Sequence, residues 1–167
     1  MTARLFLTAA AIGLGLWVNA ASADVKVTFV EGAPKDRFVI ENLGNCSLTS
    51  ETLKLNLASS QGKLIFDVTA LGQGVEVFQP FEVVEGADFL AEMPSVIDGQ
   101  RELSLQIEQL PQGGSIAFTI DVDDTISARE ITVTDAEIMG ATIAMGESEL
   151  RTASFTNIAT ATLATMC

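Results

Sequence analysis

Five consecutive residues, Asp121-Val122-Asp123-Asp124-Thr125, bring three carboxylates and one hydroxyl close together in the chain. The residues before them alternate between apolar and polar, which is typical of a β-strand with one buried face. In such a strand Asp121 and Asp123 project from the same face, with side chains about 6–7 Å apart. Carboxylates held this close repel one another unless a cation lies between them, and calcium accepts six to eight oxygen ligands. The pattern therefore predicts a calcium site at Asp121, Asp123 and Asp124.

The remaining ligands of such a site would have to come from elsewhere in the sequence. Backbone carbonyls are one source, and the second-tier acidic candidates are Asp67, Asp98 and Glu130. The spacing is not that of an EF-hand loop, which contains a glycine and ends in a glutamate. The alternative interpretation is a solvated acidic strand end that discourages pairing with other sheet edges.

Missing residue types exclude several activities. The chain has no histidine and no tyrosine, and its one tryptophan, Trp17, lies near the N-terminus. Histidine-based acid–base catalysis, a Ser-His-Asp triad and histidine-ligated metals are therefore excluded. We expect a protein that is not an enzyme. A carbohydrate-binding module is the alternative, although it would lack the aromatic rings that commonly stack on sugars, and a glycoside hydrolase with two catalytic carboxylates is a weaker one.

The N-terminal residues 1–23 have the features of a secretory signal peptide. Arg4 precedes an apolar run from Leu5 to Val18, and Ala21-Ser22-Ala23 matches a small-x-small cleavage site, which predicts cleavage between Ala23 and Asp24. The run has about 14 residues, whereas a membrane span needs about 20. We therefore expect a secreted or periplasmic protein with no membrane span in the mature chain. An uncleaved anchor is the alternative.

The predicted mature chain, residues 24–167, is one strongly acidic domain. The whole chain has a net charge of −13, and loss of the one positive charge in residues 1–23 makes it −14. This charge disfavours nucleic acid and anionic membranes and favours cations or basic partners. Two cysteines, Cys46 and Cys167, predict one disulfide in an oxidising compartment, with two free thiols as the alternative.

Alternating apolar and polar residues in short segments predict an all-β fold. An antiparallel β-sandwich of about 8–10 strands, Greek-key, immunoglobulin-like or jelly-roll-like, accommodates strands with one apolar face. A short helical stretch is expected only around Gly86–Met93. The predicted strands include Val25–Val30, Arg37–Glu41, Leu53–Leu57, Leu64–Thr69, Val75–Val84 with a break at Pro80, Leu103–Glu108, Ser115–Val122, Glu130–Thr134, Ile138–Met145, Arg151–Phe155 and Ala159–Thr165.

Three parts of the sequence together resemble a known family. They are Phe29–Phe38, then Leu64–Thr69 with Gly74–Pro80, and Phe118–Thr125 with Ala128–Glu130. The set resembles small exported bacterial proteins labelled aggregation factor core proteins, after the sponge aggregation factor. The resemblance implies a secreted β domain with a calcium-linked role in adhesion, aggregation or the extracellular matrix. It also implies a protein or polysaccharide partner at the cell surface, and it provides no catalytic residues.

Overall fold

The computed structural model describes residues 24–70, 79–126, 132–146 and 151–165. These residues form ten strands, one short helix, α1 (Asp135–Ile138), and a 3₁₀ turn at Ala87–Phe89. The predicted all-β antiparallel sandwich is confirmed. The strands are β1 (Val25–Val30), β2 (Asp36–Asn42), β3 (Leu48–Asn56), β4 (Ile65–Asp67), β5 (Glu82–Glu85), β6 (Glu102–Leu110), β7 (Ser115–Asp123), β8 (Thr142–Met145), β9 (Arg151–Ser154) and β10 (Thr160–Leu163).

Two antiparallel sheets make up the sandwich. The first has the order β10-β1-β2-β7-β4, with β5 also pairing with β7, and the second has the order β6-β3-β8-β9. The chain returns to its first strand at the end, since β1 pairs with β10 from Val25 opposite Leu163 to Thr28 opposite Thr160. The central strand β7 pairs with β2 over Ser115–Ile120, and with β4 over Asp121–Asp123.

The period-two pattern of the sequence produces the core. In β7 the side chains of Ile116, Phe118, Ile120 and Val122 are all buried, as the alternation predicts. Phe38 of β2 lies opposite Phe118 in the register and stacks on it, with ring centroids 5.0 Å apart. Facing positions of β3 and β6 supply the other half of the same core.

One buried amide joins β2 to the connection between the two sheets. The side-chain nitrogen of Asn42, a residue with no exposed surface, lies 2.8 Å from the Cys46 carbonyl and 3.0 Å from the Leu110 carbonyl. Its side-chain oxygen accepts the Gly44 N–H at 3.0 Å. Since Leu110 ends β6, this residue fixes where the chain crosses from the second sheet to the first.

The structure corrects three details of the sequence prediction. The strand predicted over Glu130–Thr134 is wrong where it is described, because Val133 lies in an irregular segment. Ile138 ends α1, so the strand predicted from that residue begins at Thr142 instead. A capping box explains the helix, since the backbone N–H of Thr134 donates to the Glu137 carboxylate at 2.8 Å. The helical stretch expected around Gly86–Met93 is a single 3₁₀ turn.

Several predictions fall on residues outside the described ranges. They are the signal peptide of residues 1–23 and its cleavage after Ala23, the strand residues Val75–Phe78, and Cys167. No cysteine within the described ranges is free. The pairing of Cys46 with Cys167 stays a prediction. Among the described residues, no helix has the length and apolar character needed to cross a membrane.

Candidate metal centre

The end of β7 and the short strand β4 bring three aspartates together. Asp67 lies directly opposite Asp121 in the antiparallel register, and Asp123 follows two residues later on the same face of β7. Each aspartate offers a carboxylate oxygen, and these three oxygens all lie within 4.8 Å of one another. The neighbouring Phe66 and Val122 point the other way, into the core. The acidic triad, Asp67, Asp121 and Asp123, therefore sits on the outer side of the first sheet.

This outer position does not make the triad a surface feature. Asp67 has no exposed surface, and Asp121 and Asp123 are exposed by 6% and 2%. The Gln79 carbonyl lies 3.5 Å from the Asp121 backbone nitrogen, so the segment before β5 also runs close by. Burial of charged groups is expensive unless they are paired or bind a cation.

Asp67 is the member whose hydrogen bonding is least satisfied. Neither of its two carboxylate oxygens accepts a hydrogen bond of good geometry in the described part of the protein, although the Asp98 carboxyl and the Thr69 N–H lie close enough to shift its pKa. A buried polar group without a partner costs about 1–3 kcal/mol, and a charged one costs more. The Asp67 carboxylate therefore lies where either a proton or a cation must offset its charge.

The surroundings of the triad disfavour negative charge. Burial, the neighbouring carboxyl of Asp98 and the charge of Asp123 raise the pKa of Asp67 to about 7. Burial, and then the charges of Asp123 and Asp36, raise the pKa of Asp121 to about 7. Without a cation, the cluster thus holds protons at a pH where an exposed aspartate is fully ionised.

A fourth buried carboxylate, Asp36 of β2, lies close enough for its charge to raise the pKa of Asp121. It is 2% exposed, and its two oxygens accept the N–H groups of Gly32 and Val122, each at 3.1 Å. Burial raises the pKa of Asp36 to about 7, although these two hydrogen bonds oppose the shift. Asp36 was not among the sequence candidates. Its signal was an acid at an inward position of β2, in phase with Phe38 and Ile40.

Two other candidates, Asp98 and Asp124, border the triad. Asp98 accepts the N–H groups of Val68 and Thr69 at 2.9 and 3.1 Å, directly after Asp67. Burial acts to raise the pKa of Asp98, but these N–H groups and the Asp67 carboxyl outweigh it and lower the pKa. The Asp124 side chain accepts the Ile126 N–H at 3.0 Å and lies outside the triad. Glu130 lies outside the described residues.

Asp36, Asp67 and Asp121 take part in no ion pair between described residues. The three ion pairs of the described ranges join Lys26 to Glu41, Lys35 to Glu82 and Arg37 to Glu85. Chemically, three converging carboxylates are a set of donors that could hold a hard cation, which prefers oxygen ligands.

Comparisons with known proteins provide no relative. No protein-family model, no curated protein and no solved structure matches this chain significantly. What is proposed for this protein therefore depends on its own residues and their geometry, together with the sequence resemblance described above.

Proposed function

We propose that this protein is an exported, non-enzymatic β-sandwich module for adhesion or the extracellular matrix, and that a calcium ion bound by Asp67, Asp121 and Asp123 stabilises it. One observation carries the cation site. Asp67 is fully buried, neither of its oxygens accepts a hydrogen bond of good geometry from a described residue, and it faces two further buried carboxylates.

Calcium fits this set of ligands better than other common cations. Zinc prefers nitrogen and sulfur ligands, and the chain has no histidine. Magnesium requires near-ideal octahedral geometry and keeps several waters, which a site with exposures of 0–6% accommodates poorly. Calcium accepts irregular geometry and bidentate carboxylates, so three aspartates can supply up to six oxygens.

The burial of the triad supports a structural role for the ion. A catalytic metal keeps a coordination position open for water or substrate. The triad instead is almost completely buried, and it joins β4 to β7, two strands that are distant in sequence. The resemblance to aggregation factor core proteins supports the adhesive role, and the N-terminal apolar run supports export.

Calcium binding is tested on protein freed of metal with a chelator. Titration calorimetry should show one ion per chain, and calcium at 100 times the Kd should raise the free energy of unfolding by about 2.7 kcal/mol. Asp67→Asn should remove the binding heat and the stabilisation. Glu102→Gln, which changes an exposed acid on β6, is the matched control and should keep both. An unchanged melting temperature in millimolar calcium would exclude the site.

Adhesion needs a separate experiment, because a calcium site alone does not establish it. Beads coated with the protein should clump in calcium and disperse in a chelator, and beads coated with the Asp67→Asn variant should stay dispersed. Beads that stay dispersed, while calorimetry still detects the ion, would refute adhesion between identical molecules and leave the cation site standing.

A further inference from the structure

The second sheet ends at a strand whose outer edge is largely unpaired. β6 runs for nine residues and pairs with β3 along one edge. The Leu57 N–H donates to the Arg101 carbonyl at 2.8 Å, in register with this ladder. Hydrogen-bonded pairs recur at every second residue of an antiparallel ladder. Leu103, Leu105 and Ile107 therefore bond to β3, whereas Glu102, Ser104 and Gln106 direct their backbone groups to the opposite edge.

This opposite edge is covered at two points. The Ala91 N–H donates to the Gln106 carbonyl at 2.8 Å, and the Gln100 side-chain amide donates to the Glu102 carbonyl at 2.7 Å. Between them, no described residue is hydrogen-bonded to the edge-facing N–H and carbonyl of Ser104. The N–H groups of Glu102 and Gln106 flank this gap. Unpaired groups of this kind form a template for another strand.

A groove runs along this gap. Its volume is about 680 Å³, with β6 on one side and Glu92–Ser95 on the other. The hydrogen bonds of Ala91 and Gln100 to β6 hold the chain against the strand at the two ends of the groove. The chain bonds to the edge of β6 at Leu90 and Ala91, and Glu92–Ser95, which follow, line the groove.

The charges along the groove are mainly acidic. Glu92 and Glu102 line it together with Arg101, and a neighbouring depression farther along β6 is lined by Asp88 and Glu108. In the described part of the chain, none of these four acids belongs to an ion pair. A ligand that places cationic side chains beside them would gain electrostatic attraction.

We propose that the β6 groove, defined by Glu92–Ser95 and Gln100–Gln106, binds an extended basic segment of a partner protein, which adds to the second sheet as an extra strand. Backbone hydrogen bonds to Ser104 provide affinity, and alternate lysine or arginine side chains beside Glu92 and Glu102 provide selectivity. A second copy of this chain is a poor occupant, because a net charge of −13 makes its surface repel the same acidic edge.

The probe is a nine-residue peptide in which valine and lysine alternate, with blocked ends. Binding is measured by fluorescence anisotropy in calcium and in a chelator, so that the outcome does not depend on the acidic triad. We expect saturable binding in both conditions. A peptide with N-methylated backbone amides on the edge-facing positions, and a peptide with glutamate in place of lysine, should each bind at least tenfold more weakly.

Two protein variants separate strand addition from simple charge attraction. Ser104→Pro removes the free N–H without breaking the β3 ladder, and should weaken binding at least tenfold. Glu92→Lys should weaken it about tenfold through repulsion. Glu31→Lys makes the same charge change in the loop between β1 and β2, away from the groove, and is the control, with less than a twofold effect. Unchanged circular dichroism spectra and melting temperatures would show that the variants fold.

Three results would overturn the proposal. The first is no binding of the probe at millimolar concentration. The second is equal binding by the Ser104→Pro variant or by the N-methylated peptide, which would show charge attraction without strand addition. The third is a dimer in solution that Ser104→Pro dissociates, which would show that a second copy occupies the edge.

Discussion

β6 and β7 are consecutive strands of equal length with the same pattern of inward apolar residues, yet their acids have opposite environments. Both run for nine residues, and both bury every second side chain. The outward acids of β6, such as Glu102 and Glu108, are exposed, whereas Asp121 and Asp123 of β7 are buried. The pattern within each strand cannot explain this difference.

The difference comes from what lies against each strand. β7 is central in its sheet: β4 pairs with it along Asp121–Asp123, and the Gln79 carbonyl lies close to the Asp121 backbone nitrogen. β6 is at an edge, and a groove opens beside it. An acid therefore becomes a candidate cation ligand through its strand's neighbours. In an exposed position the same residue type instead protects an edge or attracts a basic partner.

The largest expected effect comes from the buried apolar side chains that β6 and β7 both place in the core. Phe118→Ala in β7 removes a fully buried ring that contacts Phe38 and Phe81, so it should cost about 3–5 kcal/mol of unfolding free energy. Leu105→Ala in β6 should cost about 2–5 kcal/mol for the same reason. Urea denaturation measures both. A cost below 1 kcal/mol at either position would show that the inward faces are not equivalent.

The next largest effect is a dependence of stability on pH, which comes from the buried carboxyls around the end of β7 and not from the exposed acids of β6. Asp36, Asp67 and Asp121 have folded-state pKa values of about 7, raised from 3.8. The folded state therefore binds more protons than the unfolded state between these values, and the stability from protonation is lost as the pH rises through 7. In a chelator, unfolding free energy should fall by roughly 2–3 kcal/mol from pH 5 to pH 8 for each of these carboxyls that titrates independently.

Calcium should reverse this trend, because the ion binds the ionised carboxylates and displaces their protons. The stabilisation by calcium should thus be larger at pH 8 than at pH 5, and thermal unfolding at the two pH values measures it. A metal-free protein that is equally stable at both pH values would contradict the shared burial of these three carboxyls.

A smaller change in unfolding free energy is expected when one carboxylate of the triad is neutralised. Without a cation at pH 8, Asp67→Asn removes a buried charge that accepts no hydrogen bond of good geometry from a described residue, and should increase unfolding free energy by about 1–3 kcal/mol. With calcium, the same variant should be less stable than the parent protein. Chemical denaturation in a chelator and in calcium measures this change of sign, and destabilisation in both conditions would refute the cation role.

The smallest effect is predicted for the exposed acid of β6. Glu102→Gln should change the unfolding free energy by no more than about 0.5 kcal/mol, with or without calcium. The same measurements serve as the matched control for Asp67→Asn. A change above 1 kcal/mol would mean that the β6 acids also contribute to the fold.

Much of the fold could be predicted because period-two patterns are local. Val25, Val27 and Phe29 identify β1, and Ile116 to Val122 identify β7, without knowledge of any partner strand. The sequence analysis did not predict the single turn of α1, because a helix this short depends on its caps and has no apolar repeat. The Thr134-x-x-Glu137 spacing was its one local signal.

The candidate site was less predictable because it depends on contacts that are distant in sequence. Asp121 and Asp123 could be placed on one face from their spacing, but Asp67 joins them only through the pairing of β4 with β7. Asp67 was therefore one of three second-tier acids, and the sequence could not rank them. Asp36 could have been found as a charged residue at an inward position of β2.

The pairing of β1 with β10 also has a consequence for how the chain folds. Val25 must find Leu163, and Thr28 must find Thr160, so the first sheet closes through one of the longest chain separations available to it. Closing such a loop costs entropy before any contact compensates for it, which makes sandwiches of this kind fold in milliseconds to seconds. The edge of β1 therefore stays open until Thr160–Leu163 is available to pair with it, so a chain that emerges from its N-terminus cannot complete the first sheet early.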